Sequence, residues 1–120
     1  ERVLLSVDAE QAVVPSADGE FTMLPGHAPV IATLRPGVLD VSAQGSKKRL
    51  FVKSGFAEVD PTRLTVLAEK AFDVDEMTPS ILAEEIKAAE AELADAKDDA
   101  SRAHADTLVS ELKRLSSRAA

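Results

Sequence analysis

Few side chains in this sequence are of types that do chemistry. There is no cysteine and there are only two histidines. His27 stands in Leu24-Pro25-Gly26-His27-Ala28-Pro29, and a histidine between two prolines has the titration range of a general base. No serine, cysteine or aspartate close to it in sequence has an evident role beside it. The competing reading is a turn histidine that makes a structural hydrogen bond or touches a partner. His104 has Ser101 and Asp106 nearby, but the helical zinc pattern needs a second histidine four residues away, and none is there. The carboxylates Glu84, Glu85, Glu90, Glu92, Asp95, Asp98 and Asp99 lack the Asp/Asn ladder and central glycine of a calcium loop. A solvated helix face with Glu-to-Lys pairs accounts for them better. Gly19, Gly26, Gly37, Gly45 and Gly55 stand singly, so no phosphate-cradling loop is present. The residue types predict no catalytic residue, no metal site and no cofactor; they point to an interaction module.

Composition narrows the partners. The 120 residues carry a formal charge of −7 with both signs spread along the chain. That balance argues against nucleic acid, whose phosphates need a basic patch. Four Phe, no Trp and no Tyr leave few stacking platforms for bases or sugars. No run approaches the roughly 20 apolar residues of a membrane helix. The chain starts at Glu1 inside a strand-like run, and the expectation is that a first strand precedes it.

The elements that would position these residues change type near Thr78-Pro79. All five Gly and five of the six Pro lie before Pro79. Short apolar runs there alternate with turn residues, which predicts an antiparallel sandwich or barrel. Val3–Val7, Gln11–Val14, Phe21–Leu24, Val30–Leu34, Val38–Val41, Leu50–Val52, Phe56–Val59 and Leu64–Leu67 read as strands. Residues 15–19 read as a turn and 44–48 as a hairpin loop. From Pro79 onward the sequence is rich in Ala, Glu, Leu and Lys. Thr78 suits an N-cap and Pro79 the first helical position. Leu82, Ile86, Ala89 and Leu93 form one stripe, and Leu108, Val109, Leu112 and Leu115 a second. A break at Asp98-Asp99 gives a helical hairpin; one unbroken helix is the alternative. The fold class is therefore α+β: an N-terminal antiparallel β-sandwich over residues 1–77, then a C-terminal α-helical hairpin over 78–120. Both stripes are thin, so the tail is expected to dock on something or to move.

Several blocks resemble the epsilon-subunit family of F-type ATP synthases. Asp18-Gly19-Glu20-Phe21-Thr22-Met23-Leu24-Pro25-Gly26-His27-Ala28-Pro29 is similar to that family's signature region. Leu34-Arg35-Pro36-Gly37-Val38, Ser54-Gly55-Phe56-Ala57-Glu58-Val59 and Leu64-Thr65-Val66-Leu67-Ala68-Glu69 follow in the family's order and spacing. The mitochondrial delta subunit, counterpart of bacterial epsilon, is similar in the Leu-Arg-Pro-Gly block.

The resemblance implies a sandwich of about ten strands and a non-catalytic rotor subunit of the central stalk. Such a subunit binds gamma, sits on the ring of c subunits and couples ring rotation to the catalytic head during ATP synthesis. It implies a peripheral place on the cytoplasmic face of the bacterial inner membrane, attached through the ring. By the same resemblance, Gly19, Glu20 and Phe21 match the ring-facing loop. His27, Ala28, Pro29 and Ala32 match a surface near gamma. Arg102, Lys113, Arg114 and Arg118 match a cationic helix that can meet the alpha and beta subunits of the head, where the tail of many members restrains hydrolysis. Two departures stand out. The family often has a Gly pair where this chain has Ser54-Gly55. The ATP-sensing motif of some members sets an Arg after an acidic residue, whereas Val74-Asp75-Glu76-Met77-Thr78-Pro79 has no Arg. The competing reading is a small-molecule-binding sandwich with a helical oligomerisation tail; a hydrolase using His27 is more distant.

Overall fold

The computed structural model describes residues 2–24, 26, 28–61, 63–69 and 71–119, side chains excepted at 2–4, 7, 69, 118 and 119. It divides into two compact units, Glu1–Val74 and Asp75–Ala120.

The first unit holds β1 (Arg2–Val7), β2 (Gln11–Ser16), β3 (Gly19–Met23), β4 (Val30–Leu34), β5 (Gly37–Ala43), β6 (Ser46–Val52), β7 (Ser54–Val59), β8 (Leu64–Glu69) and β9 (Phe72–Asp73). Every pairing is antiparallel. The order is β1-β8-β7-β4-β2-β5-β6-β9, with β3 on the other edge of β2. Nine strands stand among the described residues, against the ten or so implied by resemblance.

β2 joins the two layers. On one edge it pairs with β3 over Ala12–Ser16. On the other, Gln11, Ala12 and Val13 pair with β5, while Ser16 pairs with Leu34 of β4. Between those contacts Arg35-Pro36 carries the chain out of β4 and into β5. Proline has a fixed φ and no N–H for a ladder, so it suits the corner where a chain changes sheets. Alternation sets the layers: Leu39 and Val41 of β5, Ala57 and Val59 of β7, and Leu64 and Val66 of β8 are buried in one apolar cluster.

Two turns are tighter than sequence predicts. The loop expected over 44–48 is only Gln44-Gly45, with φ of 51° and 78°, and Ala43 pairs directly with Ser46. Positive φ at both central residues matches a type I′ turn, whose twist suits the flanking strands. Ser46, Lys47 and Lys48 therefore lie in β6 rather than in a loop. Likewise the turn expected over 15–19 narrows to Ala17-Asp18, because Pro15 and Ser16 belong to β2 and Gly19 to β3. The Pro15 carbonyl accepts from the Arg35 N–H at 3.0 Å, so this proline keeps its acceptor in the sheet while lacking the donor.

The second unit begins within a 3-10 turn, Val74–Glu76, followed by α1 (Pro79–Asp95) and α2 (Asp99–Ala119). Thr78 is the N-cap of α1, its side chain accepting from the Ile81 N–H at 3.2 Å, and Pro79 takes the first turn. Such a cap is worth about 1 kcal/mol. The chain breaks at Ala96–Asp98, and Asp98 Oδ1 accepts from the Ser101 N–H at 2.7 Å. The two helices pack on each other. Leu82 and Ala89 of α1 are buried, as are Ala105, Leu108, Val109, Leu112 and Leu115 of α2; Ile86 and Leu93 are half-buried. α1 buries less because two of its stripe residues reach only partial cover.

Candidate functional site

His27 lies outside the described residues, as does the neighbouring Pro25. His104 is half-buried and lines an open cleft of about 670 Å³ at the helix turn, with Glu92, Asp95, Asp98 and Ser101. Asp98 is committed there to capping α2. Hydrogen bonds from the Ser101 amide, then the Ser101 hydroxyl and the Ala100 amide, hold its carboxyl below the ordinary aspartate range despite slight desolvation. Among the described residues no group of three or more His, Asp or Glu is arranged to hold a metal ion.

The β2–β3 turn displays one of its three expected contact residues fully. Glu20 is exposed, whereas Gly19 and Phe21 are half-buried and Phe21 packs on the sandwich core. The positive φ that the turn requires falls on Gly19, at 120°, where the missing Cβ removes the steric cost. Sequence spacing had offered no bracing for this turn, yet it is held on two sides. The buried Ser16 hydroxyl donates to the Gly19 carbonyl at 2.7 Å and accepts from the Asp18 N–H at 3.1 Å. The Ala17 N–H donates to the Thr33 carbonyl of β4 at 2.8 Å.

A second surface follows β4. Gly26 donates its N–H to the Pro61 carbonyl at 2.8 Å, which ties the loop before β4 to the β7–β8 turn. Ala28 and Pro29 are exposed, and Ala32 is half-buried. Its neighbour Ile31 is 71% exposed, with Phe56 of β7 at 56% and Leu67 of β8 at 41%. Phe56 stands opposite both Thr33 and Leu67, and Ile31 opposite Glu58. Ile31 is thus a diagonal neighbour of Phe56 on the same face. Three large apolar side chains therefore share the outer face of β4-β7-β8. Sequence reasoning missed this patch, because each residue alone reads as an ordinary strand hydrophobe and only the register places all three outward.

The cations of the tail are engaged locally. Arg102 reaches Asp99 at 4.0 Å and donates to the Ala96 carbonyl at 3.4 Å. Lys113 pairs with Glu90 of α1 at 3.4 Å, and Arg114 with Glu111 at 3.1 Å. The side chain of Arg118 lies outside the described residues. Among those described, no helix is long and apolar enough to cross a membrane.

Comparison with known proteins adds the following. The family model for the ATP synthase delta/epsilon chain, β-sandwich domain, matches residues 1–74. The chain is 41% identical over 116 residues to the ATP synthase epsilon chain of Parvibaculum lavamentivorans, covering 96% of this chain and 88% of that one. It is 45% identical over 109 residues to the epsilon chain of Paramagnetospirillum magneticum, covering 90% and 82%. In fold it is similar to a chain in the Euglena gracilis mitochondrial ATP synthase OSCP/F1/c-ring structure. The TM-score is 0.66 at 24% identity, over 92% of this chain and 69% of that one. A chain in the Tetrahymena thermophila mitochondrial ATP synthase central stalk and c-ring structure gives 0.58 at 14%, over 91% and 83%.

Proposed function

This chain belongs to the ATP synthase delta/epsilon family, and from that premise we propose that it locks the c-ring to gamma through two separate surfaces of its sandwich. It is a non-catalytic rotor subunit of the central stalk. Its contribution to ATP synthesis is mechanical, carrying ring rotation toward the catalytic head.

The observation that carries the gamma contact is the outer face of β4-β7-β8. Ile31, Phe56 and Leu67 are exposed together, and a contiguous apolar patch on a small soluble domain marks a surface that a partner covers. The loop residues His27, Ala28 and Pro29 lead directly into that strand. Ala32 supports it from the inner side. The ring contact is carried by the β2–β3 turn. There Glu20 offers an exposed carboxylate on a braced hairpin, suited to a cationic or hydrogen-bond-donating polar loop. Attachment through the ring makes the subunit peripheral at the cytoplasmic face of the inner membrane. Arg102, Lys113 and Arg114 would have to exchange their pairings within the hairpin before meeting an acidic surface of the alpha or beta subunits. Surface pairs of this kind hold by well under about 1 kcal/mol each, so such an exchange is accessible.

The reading as a small-molecule-binding sandwich has no specific observation in its favour. Val14, Leu39 and Val66 are packed in the apolar core of the sandwich.

Co-expression with gamma is the test. Wild-type chain is expected to co-purify with gamma, and Ile31→Glu or Phe56→Glu to lose it while keeping the sandwich folded. Undiminished capture by both variants would remove this face from the interface.

A further inference from the structure

We infer that Ser16 is the positioning residue of the ring-facing turn, the point at which that turn is fastened to the strand bearing the gamma-facing patch. The inference rests on the two-surface reading above.

Ser16 is where β2, β3 and β4 meet. It ends β2, pairs with Gly19 of β3 on one edge and with Leu34 of β4 on the other. The residue is only 6% exposed. A buried hydroxyl needs partners, and both of its partners lie inside the turn: it donates to the Gly19 carbonyl and accepts from the Asp18 N–H. The clip therefore closes over Ala17-Asp18 and fixes the residue immediately before Glu20. The flanking residues extend the fastening to β4. Ala17 donates to the Thr33 carbonyl and Arg35 to the Pro15 carbonyl, at 2.8 and 3.0 Å. Thr33 in turn stands opposite Phe56. From Glu20 to the apolar patch the path is thus a few hydrogen-bonded residues, without a loose segment among them.

A load applied at Glu20 can reach β4 only as far as the turn resists bending. A two-residue turn held by backbone bonds alone swings about its own base. The Ser16 hydroxyl adds a cross-brace inside it. Removing the hydroxyl leaves the β2–β3 ladder and the core intact but frees the turn, so the charge at Glu20 is kept while its placement is lost.

The experiment compares Ser16→Ala, Ser16→Thr and Glu20→Gln, each as full chain and in the assembled ATP synthase. By hydrogen exchange, Ser16→Ala is expected to speed the Asp18 amide roughly fivefold, the effect of losing one ordinary hydrogen bond. Amides of β8 such as Val66 are expected to stay unchanged. In the assembled enzyme, Ser16→Ala is expected to lower proton pumping per ATP hydrolysed, as Glu20→Gln does, with gamma still bound. Ser16→Thr, which keeps the hydroxyl, is expected to restore it. If Ser16→Ala does not assemble, Ser16→Cys, of similar size but a weaker donor, carries the same comparison. A loosened turn with pumping intact, while Glu20→Gln impairs it, would overturn the positioning role and leave the ring contact standing. Intact pumping in Glu20→Gln as well would overturn both.

Discussion

The α-carbon of Gly55 lies so close under the Leu67 carbonyl that a Cβ at that position would overlap the oxygen, with the Ala68 backbone 2.8 Å away. The obstacle is main chain of the paired strand β8, which no rotamer change can move aside, and φ at Gly55 is 137°. Gly55→Ala should therefore cost about 3 kcal/mol or more, from overlap and backbone strain together. Urea unfolding followed through exchange of the Val66 amide measures it. A loss below about 1 kcal/mol would mean that β7 and β8 separate more readily than their register implies.

That glycine also shows how the sequence was legible. It interrupts the run after Val52 in a way that read as a break, and the structure makes it a close strand contact inside β7 instead. Eight of the strand segments, the N-cap Thr78 and the helix break before Asp99 were readable, because each has a local chemical signature; the short β9 and the order of strands in the sheet were not. The Lys47-Lys48 stretch was not. Its polarity suggested a loop, but the two-residue turn at Gln44-Gly45 leaves those lysines in a strand whose side chains are solvated. The Ile31-Phe56-Leu67 face was also hidden, since it is a product of register between strands far apart in sequence. Ser16 was hidden for the same kind of reason: its burial and its two hydrogen bonds depend on where the turn closes.

Glu20→Lys should uncouple the enzyme without unfolding the chain. The side chain is exposed, so the sandwich should lose well under about 1 kcal/mol. A reversed charge should repel the surface that the carboxylate attracts, and salt should blunt the difference. Proton pumping per ATP hydrolysed in assembled enzyme, at low and high ionic strength, is the readout. Unchanged coupling would remove Glu20 from the ring contact.

The sandwich should outlast the helical hairpin. Its β5, β7 and β8 carry buried apolar residues at alternate positions, whereas α1 buries only Leu82 and Ala89 among its described residues. Native-state exchange should therefore run faster over 79–119 than over 37–68. Leu112→Ala, at a fully buried position, should cost about 2–5 kcal/mol and widen the gap. Equal protection of both units would contradict the argument from burial.

The start of α2 should loosen in acid. The Asp98 carboxyl is held below its ordinary range chiefly by the Ser101 amide and hydroxyl. A depressed folded-state value gives stability that is present above the unfolded aspartate range and lost as pH falls through the folded value. The Ser101 and Arg102 amides should thus stay protected at neutral pH and exchange faster below the ordinary aspartate range, after correction for intrinsic rates. Asp98→Asn can still cap but has no charge to lose, so its profile should be flat there. A matching acid dependence in Asp98→Asn would assign the effect to another group.

ATP should not bind the tail. A triphosphate site needs converging cationic donors, for which Arg is suited by its forked geometry. The acidic residue that would open such a motif, Asp75, lies in the 3-10 turn Val74–Glu76, and α1 does not start until Pro79. Pro79 has no N–H to offer a phosphate. The Ile81 N–H is already taken by Thr78. The first basic residue of α1 is Lys87, eight residues after Pro79 and so about 12 Å along the helix. Arg102 on α2 already reaches Asp99 and the Ala96 carbonyl, at the helix turn and not at the start of α1. Calorimetric titration of the full chain with ATP, with and without magnesium, should give no resolvable binding heat at cellular, millimolar ATP. Saturable binding in that range, abolished by Asp75→Ala, would show that the missing arginine is replaced by donors from elsewhere in the chain, with Arg102→Ala as the first variant to locate them.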